Sequence, residues 1–272
     1  MKKLLVVLLG CLLVLTGCGG TKDNSSSGSG SGSGSGSATG ATIVDELLVS
    51  GKLIVGTSPD YPPFESYDTS GQIIGFDMDV IQGVVGIINK NNDLNLVVEF
   101  KPMDFDLIVT SVQQNQADIG MSAFTYNPER DVTFTSTYLE SKQVAVVRAD
   151  SGIETLADLE GKTIAAGLGT TGEEAAKGIE GATVVSPGDY NYMFAALEAG
   201  QVDVVVCDEA VGESFVAEKG FIKIEEPLVD ETMHIITNKA KTVLSAEISK
   251  AVEEFVQTEE YQELLKKWGF AE

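Results

Sequence analysis

An alternation limits how this chain can fold more than any other feature. From residue 50 onward, short runs rich in Val and Ile alternate with segments of helical period, and the series occurs twice. In the first series "KLIVG" (52–56), "NLVVEF" (95–100) and "ADIGMS" (117–122) read as strands. Between them, "FDMDVIQGVVGIINK" (76–90) and "DFDLIVTSVQQNQ" (104–116) read as amphipathic helices. The second series has "KQVAVV" (142–147), "KTIAAG" (162–167), "ATVVS" (182–186) and "VDVVVCD" (202–208) as strands. Its helices are a short one at "TLADLEGK" (155–162) and others near 171–178 and 190–199, and two more, near 243–257 and 259–268, end the chain. Unbroken Val runs need cover on both faces, which α/β layering supplies.

The chain leaves the first series around "LESKQVAVV" (139–147) and returns around "TMHIITN" (232–238). This predicts an α/β fold of two lobes: lobe 1 over 42–141 plus 237–272, and lobe 2 over 145–232. The crossings at 142–144 and 233–236 form a two-strand hinge. A ligand cleft is expected between the lobes, beyond the carboxyl ends of the strands.

Not all of the 272 residues belong to this fold. Residues 1–17 carry Lys2 and Lys3, an apolar run and then small residues, the order of a secretory signal peptide. Their ending, "LTGC", resembles the bacterial lipobox, which implies a lipoprotein with Cys18 as its diacylglyceryl-modified N-terminus. Residues 18–41 then hold "SSSGSGSGSGSGSATG", which buries nothing and reads as a flexible tether. Cys11 leaves with the leader and Cys18 takes lipid, so Cys207 stands alone and no intramolecular disulfide forms. The formal charge of −23 repels nucleic acid and anionic headgroups, so membrane association is expected through the anchor alone.

Seven motifs in order carry a family likeness: "GTSPDYPPFE", "GFDMDV", "KPMDFD", "NPERDVTFT", "GKTIAAGLGTTGEEAAK", "LEAGQVDVVVCD" and "YQELLKKWG". Across about residues 50–269 the chain resembles the bacterial extracellular solute-binding proteins of the polar amino-acid uptake family (family 3), the receptors of ABC importers. The resemblance implies the two-lobe, type II periplasmic-binding-protein fold. It also implies a free L-amino acid as ligand, an ABC permease as partner, a monomer, no cofactor and no metal. Lipobox and tether together point to the extracytoplasmic face of a monoderm plasma membrane.

A free amino acid brings a carboxylate and an ammonium, and a closed cleft must pair both. By resemblance Arg130 takes the carboxylate through its planar fork, with Thr125 beside it and Ser122 and Ala123 in the adjoining wall. The reading without the family has Arg130 pairing with Glu129 or Asp131 on the surface. Asp208, after "VDVVVC", is expected to hold the ammonium, with Glu209 as rival. Gly169, Thr170 and Thr171 open a helix whose backbone N–H groups could share the carboxylate. Tyr61 is expected as an aromatic wall on a loop that Pro62 and Pro63 hold extended, with Phe105 opposite and Phe64 behind.

Ser58 stands where relatives for basic amino acids often carry an acid. With Gly167, Thr171 and Cys207 it gives a neutral list, which predicts a neutral ligand, glutamine-like or cystine-like before arginine. An acid from an unmatched loop, such as Asp60 or Asp68, would reverse that. An enzyme is not expected. The one histidine, His234, has no nucleophile motif nearby, and a dehydratase on the same fold would need Glu173 as its acid, although Glu173 has a helix-capping position.

Overall fold

The computed structural model describes residues 41–271; the leader, Cys18 and most of the tether lie outside them. A short helix α1 (Ile43–Glu46) leads into β1 (Lys52–Thr57). Three short strands follow, β2 (Asp60–Tyr61), β3 (Glu65–Tyr67) and β4 (Ile73–Ile74), and then helix α2 (Phe76–Asn92). Strand β5 (Val97–Pro102), helix α3 (Phe105–Gln113) and β6 (Ile119–Thr125) complete the first series, and β7 (Thr133–Val147) leaves it. The second series is β8 (Thr163–Ala166), α4 (Thr171–Lys177), β9 (Thr183–Val185), α5 (Tyr190–Glu198), β10 (Val204–Asp208), α6 (Glu209–Lys219) and β11 (Ile222–Lys223). Strand β12 (Val229–Thr237) returns, and α7 (Thr242–Phe255) and α8 (Glu259–Lys267) close the fold.

One sheet path runs β5-β1-β6-β12-β7-β10-β8-β9, with β11 on β7, and a separate small sheet has the order β2-β3-β4. β1 is parallel to β5 and β6, and β10 is parallel to β8. β7 and β12 lie antiparallel from Val229 opposite Gln143 to Thr237 opposite Thr133, and they connect the two series. Strand β7 starts well before "KQVAVV" because its first half, "TFTSTYLES", buries only scattered residues such as Thr135 and Tyr138 and shows no apolar run.

Packing follows the periodicities. In α2, Val80, Ile81, Val84 and Ile88 are buried with Leu53 and Val55 of β1 in one cluster, each burial stabilising by about 1.5–3 kcal/mol. Every residue of β10 is buried. Val204 and Val206 join Ile164, Ala166 and Val147 on one face, while Val205 and Cys207 meet Met193, Phe194 and Val211 on the other.

The proline loop is not extended. Phe64 N–H donates to the Tyr61 carbonyl at 2.9 Å, so Tyr61-Pro62-Pro63-Phe64 is a tight turn, and the Pro62–Pro63 bond is cis. The turn is fastened to the start of α2, where Phe76 N–H donates to the Pro63 carbonyl at 2.9 Å and Asp77 N–H to the Phe64 carbonyl at 3.1 Å. That approach needs glycine at 75. Its φ is +151°, and a Cβ there would lie 1.9 Å from the Phe64 carbonyl oxygen.

Candidate functional site

Strands β1, β6, β8 and β10 point their carboxyl ends at one enclosed cleft. The first series supplies Ser58, Asp60, Tyr61, Glu65, Phe105, Ser122, Ala123, Thr125 and Arg130. The second supplies Gly167, Leu168, Thr170, Thr171, Gly188, Tyr190 and Asp208, and β7 adds Gln143.

Arg130 is half-buried and pairs with neither Glu129 nor Asp131; Asp131 holds Lys239 instead, at 2.6 Å. Its Nη1 donates to the Thr125 carbonyl (3.1 Å) and its Nη2 to the Gly169 carbonyl (2.8 Å). The guanidinium carbon stands 5.3 Å from the Phe124 ring centre and 5.6 Å from that of Phe105. Burial draws its pKa down, while Glu174 and Glu231 pull the other way. Among the described residues no carboxylate forms an ion pair with it, so a planar cation faces the cleft with only neutral partners.

Asp208 is the reciprocal case, a buried carboxyl without a cation. It accepts from the Tyr61 hydroxyl (2.6 Å) and from Ser141 Oγ (2.8 Å), and its own N–H donates to the Tyr61 hydroxyl (2.9 Å). Burial, then the charge of Glu231, pushes its pKa up to about 7. The rival Glu209 opens α6 and pairs with Lys223 at 2.7 Å.

Tyr61 stacks on Phe64 and packs on Tyr190 with ring centres 4.4 Å apart, so it crosses the cleft instead of standing as a free wall. Phe64 is fully buried. The Thr125 hydroxyl donates to Glu231 (2.7 Å), which also accepts from Gln143 Nε2 (3.1 Å); Gln143 Oε1 has no partner among the described residues. Besides Tyr61–Asp208 and Arg130–Gly169, two more bonds join the series across the cleft among the described residues. Tyr190 N–H donates to Asp60 at 3.0 Å, and Asn127 Nδ2 to Glu174 at 3.0 Å.

Two expected residues are not on the cleft wall. Gly169, with φ +75°, spends its N–H on Glu173 (3.0 Å) and turns its carbonyl to Arg130. Cys207 is fully buried on the opposite face of β10 from Asp208, because side chains alternate along a strand, and Gly212 of α6 packs against it. Thr170 caps α4, its Oγ1 accepting from Glu173 N–H (3.1 Å).

The neutral lining read from the sequence is incomplete, since the structure adds Asp60, Glu65 and Asp106. Asp60 accepts from Ser58 Oγ (2.9 Å) and Tyr190 N–H, and burial raises its pKa against those bonds. Asp68 is exposed and caps its own turn through Ser70 and Gln72. Tyr190 and Gln143 also escaped the sequence reading. The first opens a helix and the second sits in an apolar strand, so neither carried a site signal, whereas Asp60 was visible inside a matched motif.

The enzymatic candidates are structural. His234 bonds through Nδ1 to the Thr135 carbonyl (2.7 Å) and through Nε2 to the Thr232 hydroxyl (2.9 Å), and burial lowers its pKa. Burial pushes Glu173 up, but Lys177, Ser186 and the Gly169 N–H outweigh it and hold the carboxyl below its ordinary range, the wrong direction for a general acid.

A family model described as bacterial extracellular solute-binding proteins, family 3, matches residues 53–272. The chain belongs to this family. Family 3 members are binding proteins for transport, and this chain is accordingly not an enzyme. It is 29% identical over 279 residues to the arginine-binding extracellular protein ArtP of Bacillus subtilis, covering 98% of each chain. It is 26% identical over 271 residues to the ABC transporter glutamine-binding protein GlnH of the same organism, covering 97% of this chain and 95% of that one. Among solved structures, a mutant of ArgBP from T. maritima superposes with a TM-score of 0.76 at 33% identity, over 85% of this chain and 100% of the other. As in these family 3 relatives, the fold is a two-lobed α/β architecture.

Proposed function

We propose that this family 3 protein is the extracytoplasmic receptor of an ABC importer and that it captures a free L-amino acid with a cationic side chain, arginine before glutamine. Arg130 takes the α-carboxylate and Asp208 the α-ammonium. The single observation that carries the cationic preference is Asp60, an acid in the lining whose side chain, among the described residues, accepts only from a hydroxyl and a backbone N–H. Glu65 lies beside it, and among the described residues Arg130 is the one Lys or Arg in the cleft lining. ArtP and ArgBP support this reading by their names; GlnH supports the neutral alternative.

Capture works by bending of β7 and β12, which brings Thr171 and Asp208 onto a ligand already resting on Tyr61, Phe105 and Arg130. An ammonium gives Asp208 a charge-assisted partner in place of the neutral Tyr61 hydroxyl, so ligand favours closure. The closed form docks on its permease as a monomer tethered through lipid on Cys18.

A thermal-shift screen tests this on mature protein unfolded and refolded to strip carried-over ligand. L-arginine at about a thousand times its Kd should stabilise by about 4 kcal/mol and raise the midpoint by several degrees. A larger shift with glutamine or cystine than with arginine, lysine or histidine overturns the cationic preference. Silence across all amino acids overturns the receptor.

A further inference from the structure

Gln143 holds a buried acceptor that the chain leaves bare. It is the point on β7 flanked by both neighbouring strands, in register with Asp208 of β10 and with Val229 of β12. Residues paired across two strands set their side chains on one face, so Gln143 and Asp208 stand side by side, and both line the cleft. The Gln143 side chain is almost wholly buried. Its Nε2 donates to Glu231 Oε2 (3.1 Å), an oxygen that also accepts from the Thr125 hydroxyl (2.7 Å). Its Oε1 accepts from no donor among the described residues.

Turning the amide over does not mend this. Exchanging its two ends would set Oε1 against the Glu231 carboxylate, acceptor against acceptor. Glu231 therefore fixes the amide with its oxygen on the free side. Room for that oxygen comes from Gly172, the second residue of α4, where a Cβ would fall 2.6 Å from Oε1. Glycine is a weak helix former, so α4 has no reason of its own to carry one there. A buried acceptor left bare costs about 1–3 kcal/mol, which a donor arriving with the ligand would relieve. The ligand has that donor: a primary ammonium carries three N–H groups, and Asp208 beside Gln143 is where the receptor reading puts it.

We propose that Gln143 is a specificity-determining residue for the ligand's amino group: its Oε1 accepts one N–H of the α-ammonium beside Asp208, so the cleft takes primary amino acids and rejects N-alkylated ones. This rests on the receptor reading above and deepens it. The Asp208 carboxylate supplies the opposite charge, and the amide oxygen fixes the direction of one N–H. A methyl group on the ligand nitrogen replaces one of the three donors. It either meets Oε1 and leaves it bare or takes a donor away from Asp208. A site built to hydrogen-bond an N–H discriminates strongly against the analogue that lacks it.

Titration calorimetry with L-arginine and Nα-methyl-L-arginine tests this. The wild-type protein should prefer L-arginine by about a hundredfold or more. Gln143→Leu, which keeps the bulk and removes the acceptor, should weaken L-arginine about tenfold and narrow the preference over the methylated analogue by about as much. A wild-type preference under about threefold overturns the inference, and so does a preference that Gln143→Leu leaves unchanged, since a merely structural glutamine would weaken both ligands alike. Should Gln143→Leu fail to fold, Gly172→Ala decides instead. Its methyl displaces Oε1 in a helix that accepts alanine readily, and the preference should narrow there too; an unchanged preference overturns the inference. If the protein binds glutamine and not arginine, the cationic preference falls, and L-glutamine with Nα-methyl-L-glutamine puts Gln143 to the same test. A protein that binds no amino acid overturns the receptor reading, and this inference with it.

Discussion

At the scale of single residues, the site is a set of charges each left without its opposite. Arg130 faces the cleft on carbonyls and aromatic rings, and Asp208 faces it on hydroxyls. Both were readable from the sequence because each sits in a motif with fixed neighbours, and a bidentate cation and a strand-end acid have few structural uses there. Arg130→Ala should weaken amino-acid binding a hundredfold or more, about 2.7 kcal/mol or beyond, since it removes a charge-assisted pair inside an enclosed cleft. Titration calorimetry checks it, and a change below threefold would remove Arg130 from the site. Gly169 and Cys207 could not be placed from sequence. A backbone N–H has no sequence signature for which partner it meets, and the facing of a strand-end residue turns on a register of one.

At the scale of elements, the motif "YPPFE" makes sense only beside "GFDMDV". The turn at Tyr61–Phe64 and the start of α2 share backbone bonds, and those bonds bring Glu65 onto Asp77. Continuous apolar runs and clean helical periods disclosed β1, β10, α2, α7 and α8. Strand β7 was underread because half of it has no apolar run, and the extent of α6 was not delimited because its buried face is only Val211, Gly212 and Phe215. The β2-β3-β4 sheet has strands of two or three residues, too short for any period to register. Gly75 links these elements. Gly75→Ala should lower stability by about 3 kcal/mol or more, because the added methyl meets the Phe64 carbonyl and the backbone cannot hold that φ. Urea unfolding reads the loss; a change under 0.5 kcal/mol would mean that the turn has moved off α2.

At the scale of the whole molecule, charge sets the behaviour, and on the lipid-anchored reading proposed above attachment does too. Asp77 and Asp208 titrate near 7 in the fold and near 3.8 when unfolded, and Glu65 and Asp60 are raised as well. Raised carboxyls make the folded form bind more protons than the unfolded one between about pH 4 and 7, so stability falls as pH rises through that window. Relief of the acidic surface adds in the same direction. Ligand-stripped protein should therefore melt higher at pH 5.5 than at pH 7.5, and a scan showing the reverse would refute the buried-acid reading. Cys18→Ala should release the protein to the medium or leave it unprocessed; unchanged membrane retention and lipid labelling would refute lipidation at Cys18. Both ends of the described chain pack on the β5-β1-β6 side, where Glu46 of α1 accepts from Val243 and Leu244 N–H at the start of α7, and α8 lies against α2. A load applied at residue 41 therefore enters through α1 and α7, on the side of the fold away from β8, β9 and β10. On the lipid-anchored reading proposed above, a taut tether would load that side of the fold and leave the β10-β8-β9 side free to swing. The same reading would let the length of the Ser/Gly run change without a load reaching the far wall of the cleft.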